Sequence, residues 1–455
     1  MPDRETRCDV AIVGSEPAGC AAALSLRDCQ PTPSVSIFDD ASHSEPRAGE
    51  TLQPDIRRFL EPIGAWQAFL DDQHDAAGHG AVAWGNDELQ INEFINSTEQ
   101  QGWRVDRDRF DERLRLETRT RGAEHHVSTR LDRAERTETG WLLEFKERGG
   151  TRLRAAARFV IDATGRAARF ASLLGVRKIG FDSLMAISAI CDQTHRNDAD
   201  HLVEATEKGW WRSIALASDR RAVSFLTDRE MAKEIDPSDR ELFQNLLQQT
   251  RHIAKSLSPS PLTEAPIVRS ATTQRLDEFV GSNWLAVGDA AVSRDPLSSD
   301  GIDRALTTGR KAAHAIVDHF AGNTGALAKY RATLTAEFES YLDQRRANYQ
   351  KETRWPDAPF WKPRQSLLTL PAAAVLRALP EFNSIARTVL LDRPKLLRPK
   401  QWKTLLSLAV DPTPAQELGR RYAATSSEPL ADWRITEALQ YLLANGALEI
   451  DLAHS

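Results

Sequence analysis

At 455 residues the chain has room for two to four domains of the usual ~100–200 residues each, and for a large buried core. Hydrophobic residues make up 41% and charged residues 27%, a soluble globular balance that excludes collagenous and disordered classes. Against 59 Lys and Arg stand 65 Asp and Glu, a net charge of -6, so neither nucleic acid nor an anionic membrane is expected as a partner.

The chain opens on Met1 to Arg7, which is polar and carries both signs of charge. No secretory signal is expected there, and no apolar run approaches a membrane span. Cys8 to Gly14 reads as a buried strand that runs into Gly14-Ser15-Glu16-Pro17-Ala18-Gly19. A small-residue helix with Ala21, Ala22, Ala23, Leu24 and Leu26 follows, and then a strand from Ser34 to Phe38 that ends in Asp39-Asp40. Strand, glycine turn, helix, strand and acid is the order of a dinucleotide-binding unit. There the first glycine makes the turn, the second lets the backbone approach a pyrophosphate, and the third lets helix and strand pack closely. Glu16 stands in place of the second glycine. A carboxylate at that point opposes a bound pyrophosphate, while the free amides at the helix start still attract one. Taken alone, the segment also fits a plain βαβ unit. Asp39 is placed to accept hydrogen bonds from a ribose.

Two later segments have the same character. Arg158 to Arg166 is an apolar strand ending in Asp162-Ala163-Thr164-Gly165. Trp284 to Ala291 carries Gly288-Asp289 and leads to Asp295-Pro296-Leu297-Ser298-Ser299-Asp300-Gly301. From Gly301 a helix is expected, because Ile302, Ala305, Leu306, Ala313, Ile316 and Phe320 recur at helical spacing. Between these segments, Leu184–Ile190 and Arg221–Thr227 read as strands of an antiparallel sheet. The proline-rich stretch Ser258 to Pro266 reads as a return crossing. Beyond Arg364 leucine-rich helical stretches give way to a basic run, Arg393 to Lys403. Helices from about 415 to 424 and 435 to 444 and a strand at 448–450 then form a winged-helix-like pattern. Cys8, Cys20, Cys29 and Cys191 form no CxxC pair, which fits a reducing compartment and makes the cytoplasm the expected location. The histidines, among them His74, His79, His125 and His126, lack metal-ligand spacing, so no metal is expected.

Over about the first 350 residues these motifs resemble those of the flavoprotein aromatic hydroxylases and their relatives, the tryptophan halogenases and geranylgeranyl-reductase-like enzymes. The resemblance implies an α/β fold: a Rossmann-like FAD-binding domain, an antiparallel-sheet substrate domain and a small helical, winged-helix-like C-terminal domain. The FAD domain would take residues 1–60, 100–180 and 267–345, and the substrate domain 61–99 and 181–266. The C-terminal region would be 346–455, with a small domain from about 395. By the same resemblance FAD would be held by Gly14, Ser15, Glu16, Pro17, Ala18, Gly19 and Asp39, by Arg47 and Arg107, by Asp162 and Gly165, and by Gly288 and Asp289. Pro296, Ser299, Gly301 and Ile302 would meet its ring system, with the helix start stabilising negative charge there.

Halogenases of this group carry an early lysine and a Trp-x-Trp-x-Ile-Pro segment. Here the first lysine is Lys146, and the nearest aromatic segment is Gly209-Trp210-Trp211-Arg212. Ala48-Gly49-Glu50-Thr51-Leu52, Gly209-Trp210-Trp211, Asp295 to Gly301 and Tyr349 to Arg364 are more similar to flavoproteins encoded beside quinone-cofactor enzymes. Those enzymes hydroxylate a tryptophan inside a partner protein, here the small quinone-bearing subunit of an amine dehydrogenase. The implied activity is mono- or dihydroxylation of peptidyl tryptophan through a flavin C4a-hydroperoxide, with NAD(P)H as reductant and O2 as cosubstrate. Glu50 is the candidate acid–base residue, and Trp210, Trp211, Trp355 and Trp361 are candidates to line the substrate cleft. Two other readings stay open: a small-molecule hydroxylase or reductase, and a non-catalytic flavin-binding protein.

Overall fold

The structure is a computed structural model. It describes residues 4–40, 50–93, 102–192, 199–216, 220–236, 239–257, 262, 265–365, 375–379, 397, 399–426, and 435, 438–439, 442–443 and 447–450. Contacts divide the chain into two units, one of residues 1–345 and 351–354, the other of residues 346–350 and 355–455.

In the first unit, β1 (Arg4–Val13) lies at the centre of an eight-stranded sheet. It runs parallel to β2 (Val35–Asp39) on one side and to Arg152–Asp162 on the other, and the latter is parallel to Trp284–Ala286. The register brings Val13 level with Phe38 and Asp162, and Asp162 level with Ala286. All four strands therefore end at one edge. Val10, Ala11 and Ile12 are wholly buried, as expected for a parallel strand covered on both faces. The strand begins four residues before the apolar run, because Arg4 to Arg7 find backbone partners in Leu153 to Ala156.

The helix α1 (Pro17–Arg27) packs on Gly301–Phe320 through small residues. A Cβ on Gly309 would lie 2.2 Å from the carbonyl oxygen of Ala18, so the two helix backbones meet with nothing between them.

A second, seven-stranded sheet is inserted into this unit. Its order is Ile267–Ser270, Leu184–Asp192, Arg220–Asp228, Gly209–Ala215, His201–Thr206, His79–Ala83 and Gln90–Glu93. Neighbours are antiparallel except His201–Thr206 with His79–Ala83. One face packs Ile187, Trp211, Val223 and Phe225 against Phe243 and Leu247 of the helix Arg240–Gln248. A short strand, β3 (Glu50–Leu52), pairs with Gly102–Val105.

The second unit has a three-stranded antiparallel sheet of Thr413–Pro414, Val375–Ala378 and Leu448–Ile450. Its helices Pro399–Leu408 and Ala415–Thr425 share a core with it that includes Leu376, Trp402, Leu405, Leu418 and Tyr422. Half of the helix expected at 435–444 lies outside the described residues. No helix among the described residues is long and apolar enough to cross a membrane.

Candidate functional site: a nucleotide cavity at the strand ends

The aligned strand ends open into a cavity of about 400 Å³. Gly14 and Gly19 flank Glu16, Pro17 and Ala18, which line it. Gly14 has φ +107, and a Cβ there would lie 2.3 Å from the Ala163 carbonyl oxygen. A Cβ on Gly19 would lie 2.1 Å from the carbonyl oxygen of Gly14. Only glycine lets the turn, α1 and the strand end at Asp162 approach this closely. Pro17 takes the first helical position, where its missing N–H costs nothing, and the next amides point toward the cavity edge. At the end of β2, the Asp39 carboxylate accepts a 2.7 Å hydrogen bond from the Ser15 hydroxyl.

Glu16 lines the cavity. A methyl group on Gly165 would lie 3.9 Å from its Oε2, so the carboxylate stands over the loop after Asp162. Its charge reaches Arg107, whose Nη1 donates to Glu50 at 2.7 Å and whose Nη2 donates to Asp111 at 3.4 Å. Burial opposes the arginine charge. Glu50, Asp111 and Glu16 outweigh it and hold the pKa above the ordinary value. The Nε of Arg107 is buried with no hydrogen-bond partner among the described residues.

Asp162 is wholly buried, and its carboxylate accepts from the Thr164 hydroxyl at 2.6 Å and from the backbone N–H groups of Thr164 and Ala171. Burial raises its pKa against those hydrogen bonds. It fixes the loop from inside, while Ala163, Thr164 and Gly165 form the cavity wall. Opposite, Asp289 accepts from Arg304 Nη2 at 2.7 Å and lies 3.4 Å from Arg166 Nε. Gly288 has φ +55, and its N–H donates to Thr308 at 2.9 Å.

Pro296 opens a single 3-10 turn capped by Asp295, whose carboxylate accepts the Leu297 N–H at 2.9 Å. Ser299 follows at φ +48, and Gly301 then begins the long helix, with Ile302 against the cavity. Arg47 lies outside the described residues.

Trp210 and Trp211 are both buried, and as successive strand residues they point to opposite faces of the sheet. Trp211 stacks on Phe225 and packs on Phe243 in the core. Trp210 meets Trp84 edge-on across the other face. The two indoles do not share one surface. In the second unit Trp361 is wholly buried against Tyr349 and Phe360, and the half-buried Trp355 stacks on it.

Arg166, Arg269, Arg304 and Thr164 also border or brace the cavity. Arg166 stands directly after the Asp-Ala-Thr-Gly run, and Arg304 falls one turn into the expected helix. Both carried a positional signal. Arg269 carried none, since it reaches the cavity by sheet pairing.

A model of the tryptophan halogenase family matches residues 86–407. The chain belongs to that family. LodB of Marinomonas mediterranea, in name an FAD-dependent oxidoreductase, is 26% identical over 369 residues, 80% of this chain and 99% of LodB. The solved structure of the myxobacterial chondrochloren halogenase CndH matches with a TM-score of 0.72 at 19% identity, covering 97% of this chain and 99% of that one. That of QhpG, a peptidyl tryptophan dihydroxylase essential for tryptophylquinone cofactor biogenesis, matches with a TM-score of 0.66 at 22% identity, covering 82% and 83%. The family is one of FAD-dependent oxidoreductases, and this chain is an enzyme of that kind.

The residues present fit the flavin nucleotide that the family implies. A glycine turn with no room for a Cβ brings Glu16, Pro17 and Ala18 to the cavity at the start of α1, Asp39 is tied to that turn through Ser15, and Arg107, its Nε without an acceptor among the described residues, is part of the lining.

Proposed function

We propose that this enzyme is an FAD-dependent monooxygenase that hydroxylates, once or twice, a tryptophan held in a partner protein, with NAD(P)H as reductant and O2 as cosubstrate. The observation that carries the choice of hydroxylation over halogenation is the cavity lining, which among the described residues holds arginines and no lysine. The first lysine of the chain, Lys146, sits exposed near the end of a hairpin strand, Trp141–Glu147. The segments around Glu50, Trp210 and Pro296 favour a peptidyl substrate. The tryptophan-bearing partner we favour is the small quinone-bearing subunit of an amine dehydrogenase, and the reaction would take place in the cytoplasm.

Bound FAD supplies the oxygen-activating chemistry, taking two electrons per oxygen atom inserted. The chain's own part is positional. Gly14 to Gly19, Asp39, Arg107 and Gly288-Asp289 would hold the nucleotide. The start of the Gly301–Phe320 helix, where Gly301 and Ile302 line the cavity, would offer positive potential to negative charge on the flavin. Glu50, fixed by Arg107 at 2.7 Å, is the group placed to hold or pass a proton at the cavity wall. On the face of the second sheet turned away from its helix, the buried Trp210 and Leu226 would help to exclude water beside Arg269.

The test is the intact mass of a candidate partner subunit after incubation with the FAD-loaded enzyme, NAD(P)H and O2, against heat-denatured enzyme. A gain of one or two oxygen masses (about 16 or 32 Da) mapped to a tryptophan supports the proposal. Peroxide release without any gain, or oxygen appearing only on a free metabolite, overturns it. Chloride or bromide incorporation would move the assignment to halogenation.

A further inference from the structure

The face of the seven-stranded sheet opposite its helix-packed core carries two adjacent rows of side chains. In one row Val203, Arg212, Ser224 and Ser188 stand directly across from one another. In the next stand Ala205, Trp210, Leu226, Ala186 and Arg269, and Arg269 lines the cofactor cavity. Arg212 is the anomaly. It stands on the strand that β3 packs against, and β3 carries Glu50 at the cavity wall, so the charges of Glu50 and Asp295 both act on it. Yet it makes no ion pair or hydrogen bond among the described residues, and its Nε is shut off from water without an acceptor.

His201, on the neighbouring strand and the same face, is in the same condition. Its Nε2 is buried with no partner, and burial together with the charges of Arg212 and Arg221 keeps the ring neutral, its pKa pushed down to about 3. A third orphan, the Thr51 hydroxyl, sits on β3 next to Glu50, and β3 packs on the Arg212 strand. Buried polar groups are almost always satisfied, and a guanidinium Nε shut off from water without an acceptor is a costly exception. Three such orphans, on Gly209–Ala215 and on the two strands packed beside it, His201–Thr206 and Glu50–Leu52, point to an acceptor that arrives with a ligand.

We propose that Arg212, assisted by His201 and Thr51, anchors an oxygen acceptor of the substrate, a carboxylate or peptide carbonyl next to the aromatic ring, and so turns that ring toward the cofactor cavity. The assignment builds on the peptidyl-tryptophan reading, in which the acceptor is an acidic side chain or main-chain carbonyl flanking the indole. A free aromatic acid would present the same chemistry.

The experiment is a titration of the FAD-loaded full chain, followed by flavin absorbance and fluorescence. Its ligands are N-acetyltryptophan, N-acetyltryptophanamide, tryptamine, and paired hexapeptides with Asp or Lys beside the tryptophan. The expected order is carboxylate over neutral amide over cation, about tenfold or more between the extremes, as a charge-assisted hydrogen bond gives. Arg212→Gln should erase the order and Arg212→Lys should keep part of it, both with FAD content unchanged. If Arg212→Gln loses FAD, His201→Gln provides the second reading, with the carboxylate preference reduced about threefold for a weaker neutral partner. Equal binding of acid and cation by the native enzyme, or an order unaltered in these variants, overturns the anchor. A preference among the free indoles that is absent from the peptides keeps the anchor and overturns the peptidyl reading instead.

Discussion

Glu50, the first residue of β3, accepts a 2.7 Å hydrogen bond from Arg107, the first residue of the helix Arg107–Thr120. The pair joins two segments 57 residues apart and forms part of the cofactor wall. Arg107 also serves Asp111 one turn on and lies within reach of the charge on Glu16. One guanidinium therefore balances three carboxylates.

Removing that cation separates binding from chemistry. Arg107→Ala should weaken FAD binding about ten- to hundredfold, because Glu50, Asp111 and Glu16 are left facing an anionic nucleotide. Glu50→Gln keeps the hydrogen-bonding shape, and should retain FAD while lowering turnover at least about tenfold. Flavin retention after gel filtration and single-turnover rates check the two. A Glu50→Gln enzyme with native turnover removes Glu50 from proton handling.

Glu16 sits where a pyrophosphate-binding turn ordinarily has glycine. Replacing it with glycine should tighten FAD binding about three- to tenfold at low ionic strength, the scale of one partly screened like-charge contact. The gain should shrink in 0.5 M salt. A dissociation constant measured by flavin fluorescence at both salt concentrations decides it, and equal affinity of the two proteins would show that the carboxylate turns away on binding.

Asp303, one residue after Ile302, has its pKa raised to about 7 by burial first, and then by the nearby carboxylates of Asp55 and Asp300. The folded protein holds this proton far above the unfolded value, so the contribution to stability is complete below about pH 4 and is lost as pH rises through about 7. Asp303→Asn cannot ionise. Its stability to urea should exceed the native protein's at pH 8 and fall closer to it at pH 5.5. A constant difference across that window would place the titration elsewhere.

Gly309 has no room for a side chain. A Cβ there would lie 2.2 Å from the Ala18 carbonyl oxygen and 2.9 Å from the Ala22 nitrogen. Gly309→Ala raises helix propensity by about 1 kcal/mol, but the overlap with backbone should cost more and give a net loss of about 2 kcal/mol. Because α1 begins at the pyrophosphate turn, FAD retention should fall with stability. Urea denaturation and flavin content are the two readouts.

What the sequence made legible was the set of strand ends. Gly14 to Gly19, Asp162 to Gly165 and Gly288-Asp289 each carry a local signature, and the structure brings all three to one cavity. The role within a segment was less visible. Asp162 looks outward on paper, but its carboxylate is consumed by Thr164 and Ala171. Strand alternation alone separates Trp210 from Trp211, and its use requires knowing that Gly209–Ala215 is a strand with the Arg240–Gln248 helix on one face only. Arg212 and Arg269 leave no trace in any motif. Their positions come from cross-strand register between segments dozens of residues apart, information that no local window holds.

The parallel pairing of Arg152–Asp162 with Trp284–Ala286 also bears on how the protein is made. Synthesis runs through the entire seven-stranded insertion before residue 284 emerges, so the edge of the nucleotide sheet at Val160 to Asp162 waits without its partner while more than a hundred residues are added. An exposed strand edge is a template for wrong pairing. The inserted sheet, mostly antiparallel and local in its hairpins, can fold during that interval. Chains interrupted before Trp284 are therefore the ones expected to aggregate, and the yield of the whole enzyme depends on how soon the last parallel strand arrives rather than on any residue that lines the cavity.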